Sequence, residues 1–120
     1  MPSCHGRDDQ PKADFVIGDR YGTSASGLFA DVVDHVLRNR GYVVTRNKPY
    51  AGGFITEHYG NPAANCHALQ IEINRSLYMD ERKLERSRGF DAVTADLLVT
   101  AEALRNEAES LLAGGRLAAE

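Results

Sequence analysis

Six residues near the middle of the chain alternate strictly between apolar and polar side chains. The apolar positions are Leu69, Ile71 and Ile73, and the polar positions are Gln70, Glu72 and Asn74. Because successive side chains of a β-strand point to opposite faces, this run predicts a strand over about residues 67–74 with one apolar and one polar face. The polar face, followed at once by Arg75, predicts one wall of a polar site.

The first 45 residues predict a strand, a helix and a second strand. A short apolar run at 14–17 ends at a glycine, and 42–45 is rich in the β-branched residues that favour strands. Between them apolar residues recur at helical spacing, so we expect a helix from Ser24 or Ser26 to about Arg40. This order predicts a βαβ unit with parallel strands. The fold class is therefore α/β, a small mixed or parallel sheet flanked by helices.

The rest of the chain predicts one long loop and two more helices. Residues 47–66 are rich in Pro, Gly and Asn without periodicity, and a loop of that length favours a functional role. Residues 77–88 are highly charged and predict a helix. A last helix is expected from a cap at Asp91 to about residue 113, with Gly114 as its stop. We expect residues 1–120 to form a single domain.

Charge and hydropathy exclude several classes of protein. The formal net charge of −3 at pH 7 offers no basic surface for nucleic acid or an anionic membrane. No window holds the roughly 18–20 apolar residues of a membrane span. No charged start followed by an apolar core indicates a secretory signal. Two cysteines are too few for a disulfide scaffold. We therefore expect a reduced, cytoplasmic protein with neither a nucleic-acid nor a membrane partner.

Glu72 is the leading candidate for chemistry. A glutamate held on a strand, away from the apolar face, is positioned rigidly enough to move protons. The alternative is a strand glutamate that faces solvent or pairs with an arginine. Arg75 has the planar fork that suits a carboxylate, and its alternative is an ion pair with Glu72 or an acidic residue downstream. Gln70 and Asn74 would either orient a substrate or satisfy neighbouring loops.

The loop before the strand adds glycines and hydroxyl groups. Gly52 and Gly53 allow another group to approach the backbone closely. Tyr50 and Thr56 bring hydroxyl groups to the same segment. The loop therefore either lines a pocket or is a tight turn that requires glycine.

The remaining candidates are weaker. The four histidines are His5, His35, His58 and His67. They show none of the spacings of zinc motifs, and a lone histidine is more often structural than a ligand. Cys4 beside His5 is compatible with metal binding or with nucleophilic catalysis. Asp19 and Arg20 either shape the floor of a site or form a structural ion pair.

Three segments of the chain together resemble the N-formylglutamate amidohydrolase family. They are DFVIGDRYGTS, PYAGGFITEHYG and HALQIEINRSLYMDE, in the family's order and spacing. The family consists of zinc-dependent hydrolases, so the resemblance implies a zinc-carboxypeptidase-like (phosphorylase/hydrolase-like) fold. It also implies hydrolysis of the formamide C–N bond of N-formylglutamate, a small acylated amino acid, to formate and glutamate.

The resemblance implies roles for individual residues as well. Glu72 would be the general base that moves the proton of the attacking water, and Arg75 would hold a carboxylate of the substrate. The loop with Gly52 and Gly53, which includes Tyr50 and Thr56, would line the substrate pocket.

By the same resemblance, the zinc ligands of the family precede the segment that matches Met1. We therefore expect this chain to be the C-terminal part of the enzyme, to lack the zinc ligands and to be inactive by itself. Sheet surface that upstream elements would cover is then expected to be exposed and to promote self-association. The rival interpretation is a truncated, non-catalytic remnant that binds a carboxylate or a partner chain.

Overall fold

The computed structural model describes residues 1–3 and 12–119, with the backbone alone from residue 114 onwards. Its strands are β1 (Phe15–Gly18), β2 (Val44–Arg46), β3 (Gln70–Ile73), β4 (Met79–Asp80) and β5 (Glu85–Arg86). Its α-helices are α1 (Gly27–Asn39), α2 (Phe54–Tyr59) and α3 (Phe90–Ala119). Short 3-10 turns lie at Pro62–Ala64 and Arg75–Leu77.

The main sheet has three strands in the order β2-β1-β3. β1 and β2 run parallel, with Phe15 opposite Val44, so the βαβ prediction is confirmed. β3 runs antiparallel to β1, with Val16 opposite Glu72. The sheet is therefore mixed, and α1 connects its two parallel strands.

The core lies between one face of the sheet and the helices α1 and α3. Its buried residues are Phe15, Ile17, Ala30, Val33, Leu37, Val44 and Val93. Leu69, Ile71 and Ile73 pack against this cluster. The apolar face predicted for β3 is thus confirmed, although the strand itself is shorter than predicted.

The helix α1 begins and ends close to the predicted residues. Ser26 is its N-cap, and the Ser26 hydroxyl accepts a hydrogen bond from the Leu28 N–H at 3.3 Å. Ser24 is buried, and its hydroxyl donates to the Ala68 carbonyl at 2.8 Å instead. Gly41 follows the helix with a φ of +89°, the left-handed conformation that commonly ends helices.

Two segments differ from the predictions. The stretch 47–66 contains α2 and a 3-10 turn, and the stretch 77–88 forms the β4–β5 hairpin where a helix was predicted. Asp80 explains the hairpin: its Oδ1 accepts hydrogen bonds from the N–H groups of Arg82 and Lys83 at 3.0 and 3.1 Å. This local bonding turns the chain where a helix would continue.

The helix α3 is longer than predicted. It begins at Phe90, one residue before Asp91, and runs through Gly114 to Ala119. Gly114 and Gly115 both lie inside the helix, and each costs only about 1 kcal/mol relative to alanine. Glycine by itself therefore did not end the helix. Across residues 1–3 and 12–119, no helix combines the length and the apolar character that crossing a bilayer requires.

A buried carboxylate joins α3 to the start of β2. Asp96 accepts hydrogen bonds from the Tyr42 hydroxyl at 2.5 Å and from Arg40 Nη1 at 2.9 Å. The Tyr42 ring packs edge-on against Phe15, with 4.8 Å between ring centroids. Burial first, and the hydrogen bond to Asp96 next, raise the pKa of Tyr42 to about 12.

This raised pKa predicts a loss of stability at alkaline pH. The folded protein favours the neutral phenol, so the stabilisation is complete below the unfolded pKa of 10.0 and is lost as pH rises towards about 12. Between pH 10 and about 12, we expect the free energy of unfolding, measured by urea unfolding, to decrease less in Tyr42→Phe than in the wild type. The exposed Tyr59→Phe is the control and should keep the wild-type fall. Equal pH profiles for Tyr42→Phe and wild type would contradict the assignment.

Candidate active site

The polar face of β3 carries a hydrogen-bonded amide and carboxylate. Gln70 Nε2 donates to Glu72 Oε1 at 2.9 Å, so the two side chains lie on one face, as the alternation predicts. The Glu72 side chain is 32% exposed, which leaves it accessible to water and small molecules. The other carboxylate oxygen, Oε2, lies 3.8 Å from the Met1 amino group, which also donates to the Ile73 carbonyl at 2.6 Å.

The loop that contains Gly52 and Gly53, called the glycine loop from here on, covers the same face of the sheet. Gly18 and Val16 of β1 lie opposite Gln70 and Glu72 in the ladder, and side chains of directly opposed residues share a face. A Cβ placed on Gly18 would lie 2.7 Å from the Ala51 carbonyl carbon. The loop therefore runs across the face to which Gln70 and Glu72 point.

Direct contacts hold the loop in this place. The Ala51 carbonyl accepts a hydrogen bond from the Arg20 N–H at 2.8 Å. A Cβ on Gly53 would lie 3.4 Å from Gln70 Oε1, so the loop meets the amide that orients Glu72. Gly52 has a φ of +129° and lies against the side chains of Thr56 and Arg20. Glycine is favoured there because of the positive φ and because no space is left for a Cβ.

The other two residues predicted for this loop differ in their surroundings. Thr56 is 2% exposed, and its hydroxyl donates to the Gly53 carbonyl at 2.8 Å. That hydroxyl therefore stabilises the first turn of α2. Tyr50 is half-buried at the start of the loop. Substrate binding by either side chain stays a prediction.

The turn after β1 leads into the same region. Asp19 is buried, and its Oδ1 accepts hydrogen bonds from the Gly22 N–H at 3.0 Å and from Asn47 Nδ2 at 2.9 Å. The Asn47 Oδ1 accepts in return from the Asp19 N–H at 3.1 Å. Arg20 makes its ion pair with Glu57, at 3.9 Å. Asp19 and Arg20 therefore have different partners instead of the predicted ion pair, and a role of this turn in shaping a site stays a prediction.

Asn74 and Arg75 have partners away from the glycine loop. Asn74 is 6% exposed, and its Oδ1 accepts from the N–H and the hydroxyl of Ser76 at 3.1 and 2.9 Å. Arg75 Nε lies 3.6 Å from Glu81 Oε1. Hydrogen bonds from Ser3 are the main cause that lowers the pKa of Glu81. The predicted substrate contacts of Asn74 and Arg75 gain no support from this geometry.

The histidines of the described residues have structural surroundings. His67 Nδ1 accepts a hydrogen bond from the Ser26 N–H at 2.9 Å, which requires a ring whose Nδ1 is unprotonated. His58 is exposed on α2 and stacks on Phe54 with 5.0 Å between ring centroids. His35 Nε2 lies 3.0 Å from the Asn39 amide. Cys4 and His5 lie outside the described residues.

Comparison with known proteins identifies the family. The sequence model of the N-formylglutamate amidohydrolase family matches residues 1–79, which is more than half of the chain. The chain belongs to this family. The match covers β1 to β3 and therefore the whole polar face with its glycine loop.

Individual members of the family are similar over most of the chain. The N-formylglutamate deformylase of Pseudomonas aeruginosa is 37% identical over 105 residues, which is 86% of this chain and 37% of that protein. The N-formylglutamate deformylase of Pseudomonas putida is 39% identical over 69 residues, 57% of this chain and 26% of that protein. The chain thus spans well under half the length of these relatives.

A crystal structure of the N-formylglutamate amidohydrolase from Ralstonia eutropha JMP134 has the same fold. The TM-score is 0.80 at 41% sequence identity, and the match covers 95% of this chain and 41% of that one. The small mixed sheet with its flanking helices is therefore shared with this family member.

The described residues do not fit a complete metal site. Within residues 1–3 and 12–119, no three His, Cys, Asp or Glu side chains are grouped so that they could hold a metal ion.

Sequence reasoning missed Asn47 as a residue that shapes the site. Asn47 has a φ of +59°, and its amide bridges the turn after β1. The available signal was an asparagine directly after a strand, because asparagine tolerates the left-handed conformation better than most residues.

Proposed function

We propose that the protein containing this chain hydrolyses the formamide C–N bond of N-formylglutamate, releasing formate and glutamate. The observation that carries the proposal is the Glu72 carboxylate, which Gln70 orients at 2.9 Å on the face covered by the glycine loop. The names of the similar proteins support the same reaction. A small acylated amino acid is thus the proposed substrate.

Glu72 is proposed as the proton carrier of this reaction. A water oxygen forms a bond to the formyl carbon while Glu72 accepts one of the water protons. The C–N bond then breaks, and Glu72 returns that proton to the departing nitrogen, so glutamate leaves as an amine and the formyl group as formic acid. The remaining proton passes from formic acid to the more basic amine or to water, which gives formate. The hydrogen bond from Gln70 engages Oε1 and limits rotation of the carboxylate. The carboxylate is therefore held in one orientation relative to the substrate, which favours proton transfer.

The glycine loop is proposed as a wall of the substrate pocket. The space beside the Gly52 Cα is filled by the side chains of Thr56 and Arg20, whereas a Cβ on Gly53 would lie 3.4 Å from Gln70 Oε1. Gly53 is therefore the position where a substrate could approach the backbone closely. Tyr50 is the half-buried aromatic residue at the entrance of this loop. The fold of the whole protein is proposed to be zinc-carboxypeptidase-like, with zinc as its cofactor, on the family resemblance alone.

Exchange of segments tests the proposed reaction. We expect this chain, placed in the Ralstonia eutropha amidohydrolase where the two structures match, to support release of formate from N-formyl-L-glutamate, measured with a coupled formate dehydrogenase. The unmodified protein is the reference. A chimaera that shows native-like circular dichroism but forms no formate would overturn the proposal.

The isolated chain is the second arm of this assay. From the family resemblance we expect it to form no formate above the buffer blank, with or without added zinc. Formate release by the isolated chain would support the proposed reaction and contradict the expectation that the chain by itself is inactive.

A further inference from the structure

Arg20 lies in a backbone conformation that its side chain does not favour. Arg20 and Tyr21 have φ values of +50° and +58°, and Gly22 follows at +82°. Two consecutive non-glycine residues in the left-handed region cost free energy, and such outliers concentrate at functional sites. The strained conformation therefore indicates that this turn places a functional side chain.

The surrounding contacts hold this turn in one conformation. The buried Asp19 accepts from the Gly22 N–H at 3.0 Å, and the Asn47 amide accepts from the Tyr21 N–H at 3.3 Å. The Arg20 N–H donates to the Ala51 carbonyl at 2.8 Å. With its backbone bound on both sides, Arg20 starts from a fixed place at the edge of the glycine loop.

The stem of the Arg20 side chain lies directly over that loop. A Cβ on Gly52 would come within 3.1 Å of Arg20 Cγ. From Gly52 the chain continues to Gly53, which contacts Gln70, the residue that orients Glu72. The stem of Arg20 therefore lies beside the loop that also meets Gln70, the hydrogen-bond partner of the candidate base, whereas Arg75 Nε lies 3.6 Å from Glu81 Oε1.

Among residues 1–3 and 12–119, the ion-pair partner of the Arg20 guanidinium is Glu57, and the pair is loose. Arg20 Nη1 lies 3.9 Å from Glu57 Oε2, and the two side chains are 36% and 69% exposed. In contrast, Arg40 reaches Asp96 at 2.9 Å and Arg46 reaches Asp31 at 2.7 Å. An exposed pair at such a distance is weak because water and salt screen it. A ligand carboxylate could therefore replace Glu57 at little cost.

We propose that Arg20 binds a carboxylate of the substrate and that Glu57 is the counter-ion it exchanges. This assignment rests on the proposed function, since it supplies the cation for an acylated acidic amino acid. The planar guanidinium forms two parallel charge-assisted hydrogen bonds with a carboxylate. Glu57 competes with the ligand for the same donors, so removal of its charge strengthens binding.

Binding of N-formyl-L-glutamate to the purified chain tests the assignment. The readout is the shift of the Gly52 and Gly53 amide signals in a titration followed by NMR. We expect Arg20→Asn, which keeps a residue tolerant of positive φ, to weaken binding roughly ten- to hundredfold. Glu57→Gln should strengthen it about two- to fivefold at low salt. Arg105→Gln, an exposed arginine on α3, is the matched control and should bind as wild type does.

The amide spectrum of each variant shows whether it is folded. Three results would overturn the assignment: unchanged affinity in Arg20→Asn, weaker binding in Glu57→Gln, and the absence of a saturable shift in the wild-type chain. If Arg75→Gln lost binding while Arg20→Asn kept the wild-type affinity, Arg75 and not Arg20 would bind the substrate carboxylate. Because formate is not measured, failure here is distinct from failure of the proposed reaction in the chimaera.

Discussion

Glu72→Gln is expected to lower kcat for formate release by the chimaera roughly 10²–10⁴-fold, the range that a general base contributes. Glutamine has nearly the same shape as glutamate and can still accept the hydrogen bond from Gln70, so the fold and the shape of the pocket are preserved. What it lacks is an oxygen able to accept a proton from water. KM for N-formyl-L-glutamate should therefore change little, which separates loss of the chemical step from loss of binding.

A second glutamate in the same chimaera serves as the matched control. Glu85→Gln removes a charge on the exposed hairpin strand β5 and should leave kcat within about twofold, as surface substitutions generally do. If Glu72→Gln kept a kcat close to that of Glu85→Gln, Glu72 would not be the proton carrier. The carboxylate beside Gln70 would then have a structural role.

Gly18→Ala is expected to destabilise the chain by roughly 1–3 kcal/mol, as overpacking does. A Cβ at this position would lie 2.7 Å from the Ala51 carbonyl carbon and 2.8 Å from the Gly52 nitrogen. Both neighbours are backbone atoms, which cannot rotate away as a flexible side chain can. The loop would have to move off β1, and the contacts that place it beside Gln70 would be lost with it. Urea unfolding measures the change in free energy of unfolding.

The matched substitution for this effect is Gly27→Ala. Gly27 is exposed at the start of α1, and a Cβ there meets nothing within 4 Å. Alanine should stabilise the helix by up to about 1 kcal/mol, so the two glycines are expected to respond with opposite sign. A stable Gly18→Ala variant would show that the loop can shift without cost, and the close packing of loop and strand would no longer explain the glycine.

The alternation of β3 was the most informative pattern in the sequence, and its limit is equally clear. Leu69, Ile71 and Ile73 face the core and Gln70 and Glu72 face the loop, as predicted. Alternation groups Asn74 with Gln70 and Glu72, but the strand ends at Ile73 and the Asn74 side chain caps the 3-10 turn that follows. Alternation assigns a face to a side chain, but it does not report which nearby backbone groups that side chain binds.

The hairpin at 79–86 shows a second limit. The charged stretch there has a composition that suits a helix, and composition was the only signal available for it. The Asp80 carboxylate captures two following N–H groups instead. Such a local hydrogen bond depends on one side chain adopting one rotamer, and a residue count does not report it.

The sequence by itself determined the α/β class, the parallel βαβ unit, the two faces of β3 and the family, because periodicity and ordered motifs are local properties of the chain. Only the tertiary structure decided which polar groups meet. Gly53 lies against Gln70 and Arg20 lies over Gly52, while Arg75, three residues from Glu72, faces Glu81. The physical reason is that this meeting depends on the antiparallel register of β1 and β3 and on a turn with positive φ values, neither of which hydrophobic spacing encodes.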